Sequence, residues 1–187
     1  MNGESRALTT GSVVKGMLLF AVPIFMSNLF QQLYNAVDSL IVGNFIGGEA
    51  LAAVGSSGSL IFLLTGFVNG VSLGAGVLIA RHFGAGDDAA LHRTVHTTIA
   101  LGLAAGAVLT VVGVAFTPQI LRWMGTPDNV IGNSILYFRI YFMGSIAVVL
   151  YNVGASILES VGDSRSPMFY LIAASLLNVV LELVFIA

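Results

Sequence analysis

The sequence predicts an all-α polytopic membrane protein with five transmembrane helices. Three observations carry that prediction. Of its 187 residues, 57% are hydrophobic and only 9% are charged, against about 25% charged in soluble domains. Mean hydropathy is +0.95. The apolar residues also fall into runs near the length a bilayer demands, about 20 residues at about 1.5 Å rise each. Net charge is −2 with no basic patch, so no nucleic-acid partner is expected. There are no cysteines, which excludes a disulfide framework and thiolate metal sites.

In chain order, residues 1–15 read as a cytoplasmic N-terminal tail. The rest, 16–187, reads as a transmembrane bundle with spans near 16–42, 52–80, 94–116, 135–158 and 168–187. A Gly-rich turn occupies 43–51, and a charged loop 81–93. An interfacial connection with Arg122, Trp123 and two prolines fills 117–134, and a polar loop 159–167. Trp favours the headgroup level. Basic residues set the orientation. Arg6, Lys15, Arg81, Arg93 and Arg165 fall on one side; Arg122 falls on the other, with Arg139 a little inside span four. The N-terminus is therefore expected inside the cell. The apolar final residues, LELVFIA, suggest a piece of a longer protein.

Span one carries a polar stripe. Gln31, Tyr34, Asn35 and Asp38 recur at helical spacing on one face, with Asn28 a turn earlier. A stripe that ends in an ionisable group is costly in lipid and should face protein or water. Asp38 is thus the candidate for exchanging H⁺ or Na⁺; the alternative is a polar cluster that pins helix packing. Span five carries Asn178 and Glu182, four residues apart on one face and at a similar expected depth. Two such acids can share a proton or cradle a cation. Arg139 either snorkels outward or pairs with an acid such as Glu182. Asn69 and Asn152 either line the same cavity or bridge helices. Pro23 interrupts the span-one hydrogen bonds, either as a switch point or for packing alone. Gly66, Gly70 and Gly74 recur every four residues, spacing that lets another helix backbone approach.

No enzyme active site is supported. Gly70, Ser72 and Gly74 match GxSxG, but inside a membrane helix rather than a strand–turn–helix elbow. Gly84 and Gly86 lack the third glycine of a dinucleotide loop. His92 and His96 have metal-pair spacing without an evident third ligand. No metal and no cofactor beyond a coupling ion is expected.

Four segments in order resemble the multidrug and toxic compound extrusion (MATE) transporters of bacteria, over nearly the whole chain. They are FAVPIFMSNLFQQLYNAVDSLIVGNFIGGEALAAVG, LIARHFGAGD, ESVGDSRSP and NVVLELVFI. The resemblance implies twelve helices in two six-helix lobes, of which this chain supplies five, most of the N-terminal lobe. It implies export of cationic or amphipathic compounds in exchange for H⁺ or Na⁺. It gives coupling roles to Asp38, Glu182, Asn178 and Tyr34, and places Gln31 in their network. Glu182 departs from the family's usual Asp by one methylene. The implied partners are a small-molecule substrate, the lipid bilayer of the cell membrane, and a C-terminal lobe or partner chain. Two other readings are a lipid-linked oligosaccharide flippase of related architecture and a non-transporting, truncated membrane subunit. Acidic rather than cationic buried charge argues against the flippase.

Overall fold

A computed structural model describes residues 13–41, 43 and 48–186. All regular elements among them are helices: α1 (Val13–Ile41), α2 (Gly48–Ala85), α3 (Asp88–Trp123), α4 (Asp128–Met143), α5 (Ser145–Ser160) and α6 (Arg165–Ile186). Of the tail expected over 1–15, residues 1–12 lie outside the described residues, as do 44–47 of the turn expected over 43–51; residues 13–15 and 48–51 are helical instead.

Local sequence sets the helix ends. Gly86, Gly125 and Gly162 all take positive φ, at 69°, 70° and 91°, a region closed to most side chains. Each closes a helix by the same pair of bonds. Gly86 N donates to Phe83 O and Asp87 N to His82 O; the same pattern recurs at Gly125 with Thr126 and at Gly162 with Asp163. Aspartates then open two of the next helices, α3 and α6. Asp87 Oδ1 accepts from Ala90 N at 2.9 Å and caps α3. Asp163 Oδ1 accepts from Arg165 N and Ser166 N, while Oδ2 accepts from the Ser166 hydroxyl at 2.6 Å.

The Ser166 hydroxyl bond, helped by the two backbone N–H groups and the Arg165 charge, holds the Asp163 carboxyl below the usual aspartate range despite partial burial. A folded value below the unfolded one means the stabilisation is present above the ordinary aspartate pKa and fades as pH falls through the lowered value. Asp163→Ala is expected to cost about 1 kcal/mol, typical of a lost N-cap. Thermal unfolding in detergent should show that loss near neutral pH and a shrinking gap to the parent protein in acid.

Helices α2 to α5 form one packed unit, and α3 runs through it. The buried face of α3 is Thr98, Gly102, Gly106, Gly113, Thr117 and Leu121, a stripe of mostly small residues at helical spacing. Each glycine admits a neighbour closely. Gly102 faces Val153, Gly106 faces the backbone of Ile146, and Gly113 faces the Phe142 ring. Two apolar clusters fill the remaining space. One is Leu121, Phe138 and Phe142, flanked by Ile61, Leu64 and Val114. The other is Val68, Val149 and Val153, with Leu109 and Ile157. Ser156 Oγ donates to Ser72 O at 2.7 Å and ties α5 to α2. Helix α1 packs along α6, and α6 touches α5 lightly.

The glycine stripe expected to dock another helix on α2 does not do so here. Among the described residues, nothing stands within 4 Å of where a side chain would begin at Gly66, Gly70 or Gly74. The working small-residue face is on α3.

The fourth span also differs from expectation. Residues 128–134 are helical rather than part of an interfacial connection, and the helix breaks at Gly144 into α4 and α5, bent by 48°. Ala147 N and Val148 N both bond Gly144 O, so α5 restarts at once. Helix α3 likewise continues through Pro118 to Trp123. Among the described residues, Val14–Ile41, Ile61–Ala85 and Asp88–Trp123 are each long and apolar enough to cross a membrane, and the bent pair makes a fourth. Their apolar side chains point outward, Phe62 at 82% exposure and Phe25 at 65%, as expected where lipid replaces water.

Candidate functional site

Two helices far apart in sequence bring the polar groups together. Tyr34 and Asp38 sit one turn apart on α1, and Asn178 and Glu182 one turn apart on α6. When the helices pack, the two pairs meet. The Tyr34 hydroxyl donates to Asn178 Oδ1 at 3.0 Å. One turn along, the Asp38 and Glu182 carboxyl groups lie close enough for each to act on the other. Glu182 Oε2 is shielded from the surroundings and has no hydrogen-bond partner. All four residues are partly buried.

Adjacent carboxyl groups in a medium of low dielectric repel strongly when both are ionised. A proton between them, or a small cation beside them, removes that repulsion. The free Glu182 oxygen leaves one acceptor for such an ion. Tyr34 and Asn178 complete the patch with polar oxygens and fix the rotation of both helices.

A fifth polar residue lies in its neighbourhood. Tyr137, from α4, is within electrostatic range of Asp38 and Tyr34. The sequence reading passed over it because it lies in an aromatic run, YFRIYF, that reads as membrane-interface filling. The available signal was its spacing from Tyr141, which puts two phenols on one flank of α4.

The other stripe residues diverge. Gln31 is exposed, and Asn35 is turned toward Gln32, donating to Oε1 at 3.3 Å. The physical reason is angular: Asn35 follows Tyr34 by about 100° of helix rotation. Asn152 donates to Val148 O of its own helix at 2.8 Å, and Asn69 is exposed on α2. Neither joins the acid pair. Arg139 is exposed and forms no ion pair with Glu182 among the described residues. Pro23 is buried in an α1 that stays helical across it, and its carbonyl accepts from Ser27 Oγ at 3.0 Å. The His92 and His96 rings stack 6.5 Å apart, and no group of three potential metal ligands occurs among the described residues.

Apolar helices of spanning length and an acid pair held between one of them, α1, and the apolar helix α6 define a class: a helical membrane protein built around an ionisable cluster. The chain belongs to the MatE family, whose model matches residues 23–184. It is 39% identical over 91% of its length to the probable multidrug resistance protein YoeA of Bacillus subtilis. It is 25% identical over 94% of its length to the multidrug export protein MepA of Staphylococcus saprophyticus. Its fold superposes over its whole length on a MOP superfamily transporter from Pyrococcus furiosus, with a TM-score of 0.91 and 28% identity. A MATE transporter in complex with MaD3S matches 97% of the chain with a TM-score of 0.88 and 27% identity. The chain spans 37% of YoeA, 39% of MepA, 41% of the Pyrococcus transporter and 40% of the MaD3S-bound one. It is a membrane protein of a multidrug-transporter family, a non-enzyme class.

Proposed function

We propose that this chain forms most of the N-terminal lobe of a secondary active efflux antiporter, which exports cationic or amphipathic compounds in exchange for H⁺ or Na⁺. The observation that carries the reading is the Tyr34–Asn178 bond between packed α1 and α6, which brings Asp38 and Glu182 close to one another one turn along. An ion entering this cluster cancels one of the two negative charges, relieves their repulsion and changes how tightly α1 packs on α6. Loss of the ion restores the repulsion. Pro23 lies on the same helix and lowers the cost of bending it. The five-span count, a cytoplasmic N-terminus, and a second lobe or partner chain belong to the same proposal, since a rocking transporter needs two halves. Names of relatives, multidrug resistance and multidrug export, support the cargo class.

The test uses the full-length protein in everted membrane vesicles, with a fluorescent organic cation as cargo. An imposed pH gradient and an imposed Na⁺ gradient are applied separately. One of them should drive transport, and Asp38→Asn should abolish it at equal protein level. Ion-driven transport by Asp38→Asn at the parent rate overturns the proposal. Tyr34→Phe removes only one neutral hydrogen bond, worth about 1 kcal/mol. It is expected to lower the transport rate by about tenfold or less while coupling to the same ion persists, read from the same gradients.

A further inference from the structure

The hairpin of α3 and α4 has two flanks, and they differ in charge. Leu121 and Phe138 face each other in its core. Two antiparallel right-handed helices turn in opposite senses when viewed from one end. Residues that follow the facing positions therefore emerge on the same flank, and residues that precede them emerge on the other. Tyr137 precedes Phe138 and lies toward Asp38, which identifies one flank as the acid-pair side. Arg139 follows Phe138, and Arg122 follows Leu121. Both arginines are exposed on the opposite flank, and neither forms an ion pair among the described residues.

Their depth can be read from the packing. The Phe142 ring lies against Gly113, so Arg139 stands level with about Phe116 on α3. That is about 10 Å below Trp123 at 1.5 Å per residue. Trp123 is 82% exposed, as expected of a residue at the headgroup layer. An arginine at that depth on an outward face does not leave its guanidinium in hydrocarbon. Its stem lies along the apolar surface and its head reaches for the headgroup layer. The path is clear, because nothing stands within 4 Å of a side-chain position at Gly132, two turns nearer the helix end on the same face. Leu136, Ile140 and Met143 are more than half exposed around Arg139, a surface suited to acyl chains. Asp128 is about 16 Å away along the axis, too far to neutralise Arg139.

We propose that this flank binds the phosphate of an anionic phospholipid, with Arg139 as the main contact and Arg122 as the second. Guanidinium matches phosphate through paired N–H donors. The occupant is a lipid rather than a soluble anion because the Arg139 backbone lies below the headgroup layer, among exposed apolar side chains suited to acyl chains, so that its guanidinium is approached from the bilayer.

The test purifies full-length protein from mixed phosphatidylglycerol and phosphatidylcholine bilayers and measures retained lipid by native mass spectrometry. Preferential retention of phosphatidylglycerol is expected. Arg139→Gln and Arg122→Gln should each lower that preference, by about fivefold for Arg139. Arg139→Lys keeps the charge and should retain most of it. An unchanged preference in Arg139→Gln overturns the proposal. So does a face covered by protein. This chain has no cysteine, so Leu136→Cys gives a clean reporter within it. It should react with a lipid-soluble maleimide, and failure to react in a folded, transporting variant shows that another part of the protein sits there. Transport by Arg139→Gln at the parent rate is expected, since Arg139 lies outside the acid cluster. This readout separates loss of lipid from loss of fold.

Discussion

A double variant, Asp38→Asn with Glu182→Gln, is expected to lose no more ion-driven export than Asp38→Asn alone. Each single change should already reduce export to the level of membranes lacking the transporter. The two carboxyl groups lie close together, so on the proposed reading they bind one ion as a unit, and removing either empties the site. Groups that act as a unit give strongly non-additive losses. The companion variant is Glu182→Asp. It keeps the charge but withdraws it by one methylene, so export should fall while its dependence on the same ion persists. Measured transport, normalised to the amount of inserted protein, distinguishes the possibilities. If the two single losses are partial and multiply in the double variant, the acids are separate sites and the shared-ion account fails.

Gly113→Leu is expected to be the most damaging apolar change among the described residues. Its new side chain would occupy the space of the Phe142 ring, in the tightest part of the α3–α4 interface. Overpacking of this kind costs about 1–3 kcal/mol and sometimes more, and here the neighbour is itself fully packed with Leu121 and Phe138. Gly70→Ala is the control: its position is open, and the change should stay within about 0.5 kcal/mol. Thermal unfolding in detergent gives both values. Adding Phe142→Ala to Gly113→Leu should recover part of the loss, because the ring that clashes is gone. A Gly113→Leu protein as stable as the parent would show that α3 and α4 do not approach this closely.

Sequence alone made the helical class legible, because composition and run length are bulk properties that packing does not alter. It also exposed the two halves of the acid cluster, Tyr34 with Asp38 and Asn178 with Glu182, since each half obeys the four-residue spacing of a single helix. Their meeting was a different matter. Which two helices pack is not written in any one helix: similar expected depth made the two acids candidate partners, and family resemblance gave the pair a role. Tyr137 stayed hidden for the same reason: its partners lie on α1, and nothing in α4 announces them. Gln31 and Asn35 share the stripe with Asp38 but do not meet the acid pair within this chain. The glycines show the converse error. Regular spacing on α2 was conspicuous and stands open, while Gly102, Gly106 and Gly113 on α3 carry the close contacts. Their seven-residue gap, with threonines at both ends, disguised one continuous face. The break at Gly144 went unseen because the apolar run 135–158 continues across it with the length of one span.

The bond between Tyr34 and Asn178 joins positions 144 residues apart, and that separation has a cost in time. A ribosome adding about 5–20 residues per second takes about 7–30 s to cover it. Helices α2 to α5 find their partners among close neighbours in the chain. Helix α1 waits, already made, with Asp38 unmatched until α6 arrives. During that interval the insertion machinery or the membrane surface must shelter the acid. The residue proposed to drive the finished transporter is thus also the one most exposed to failure while the protein is being made.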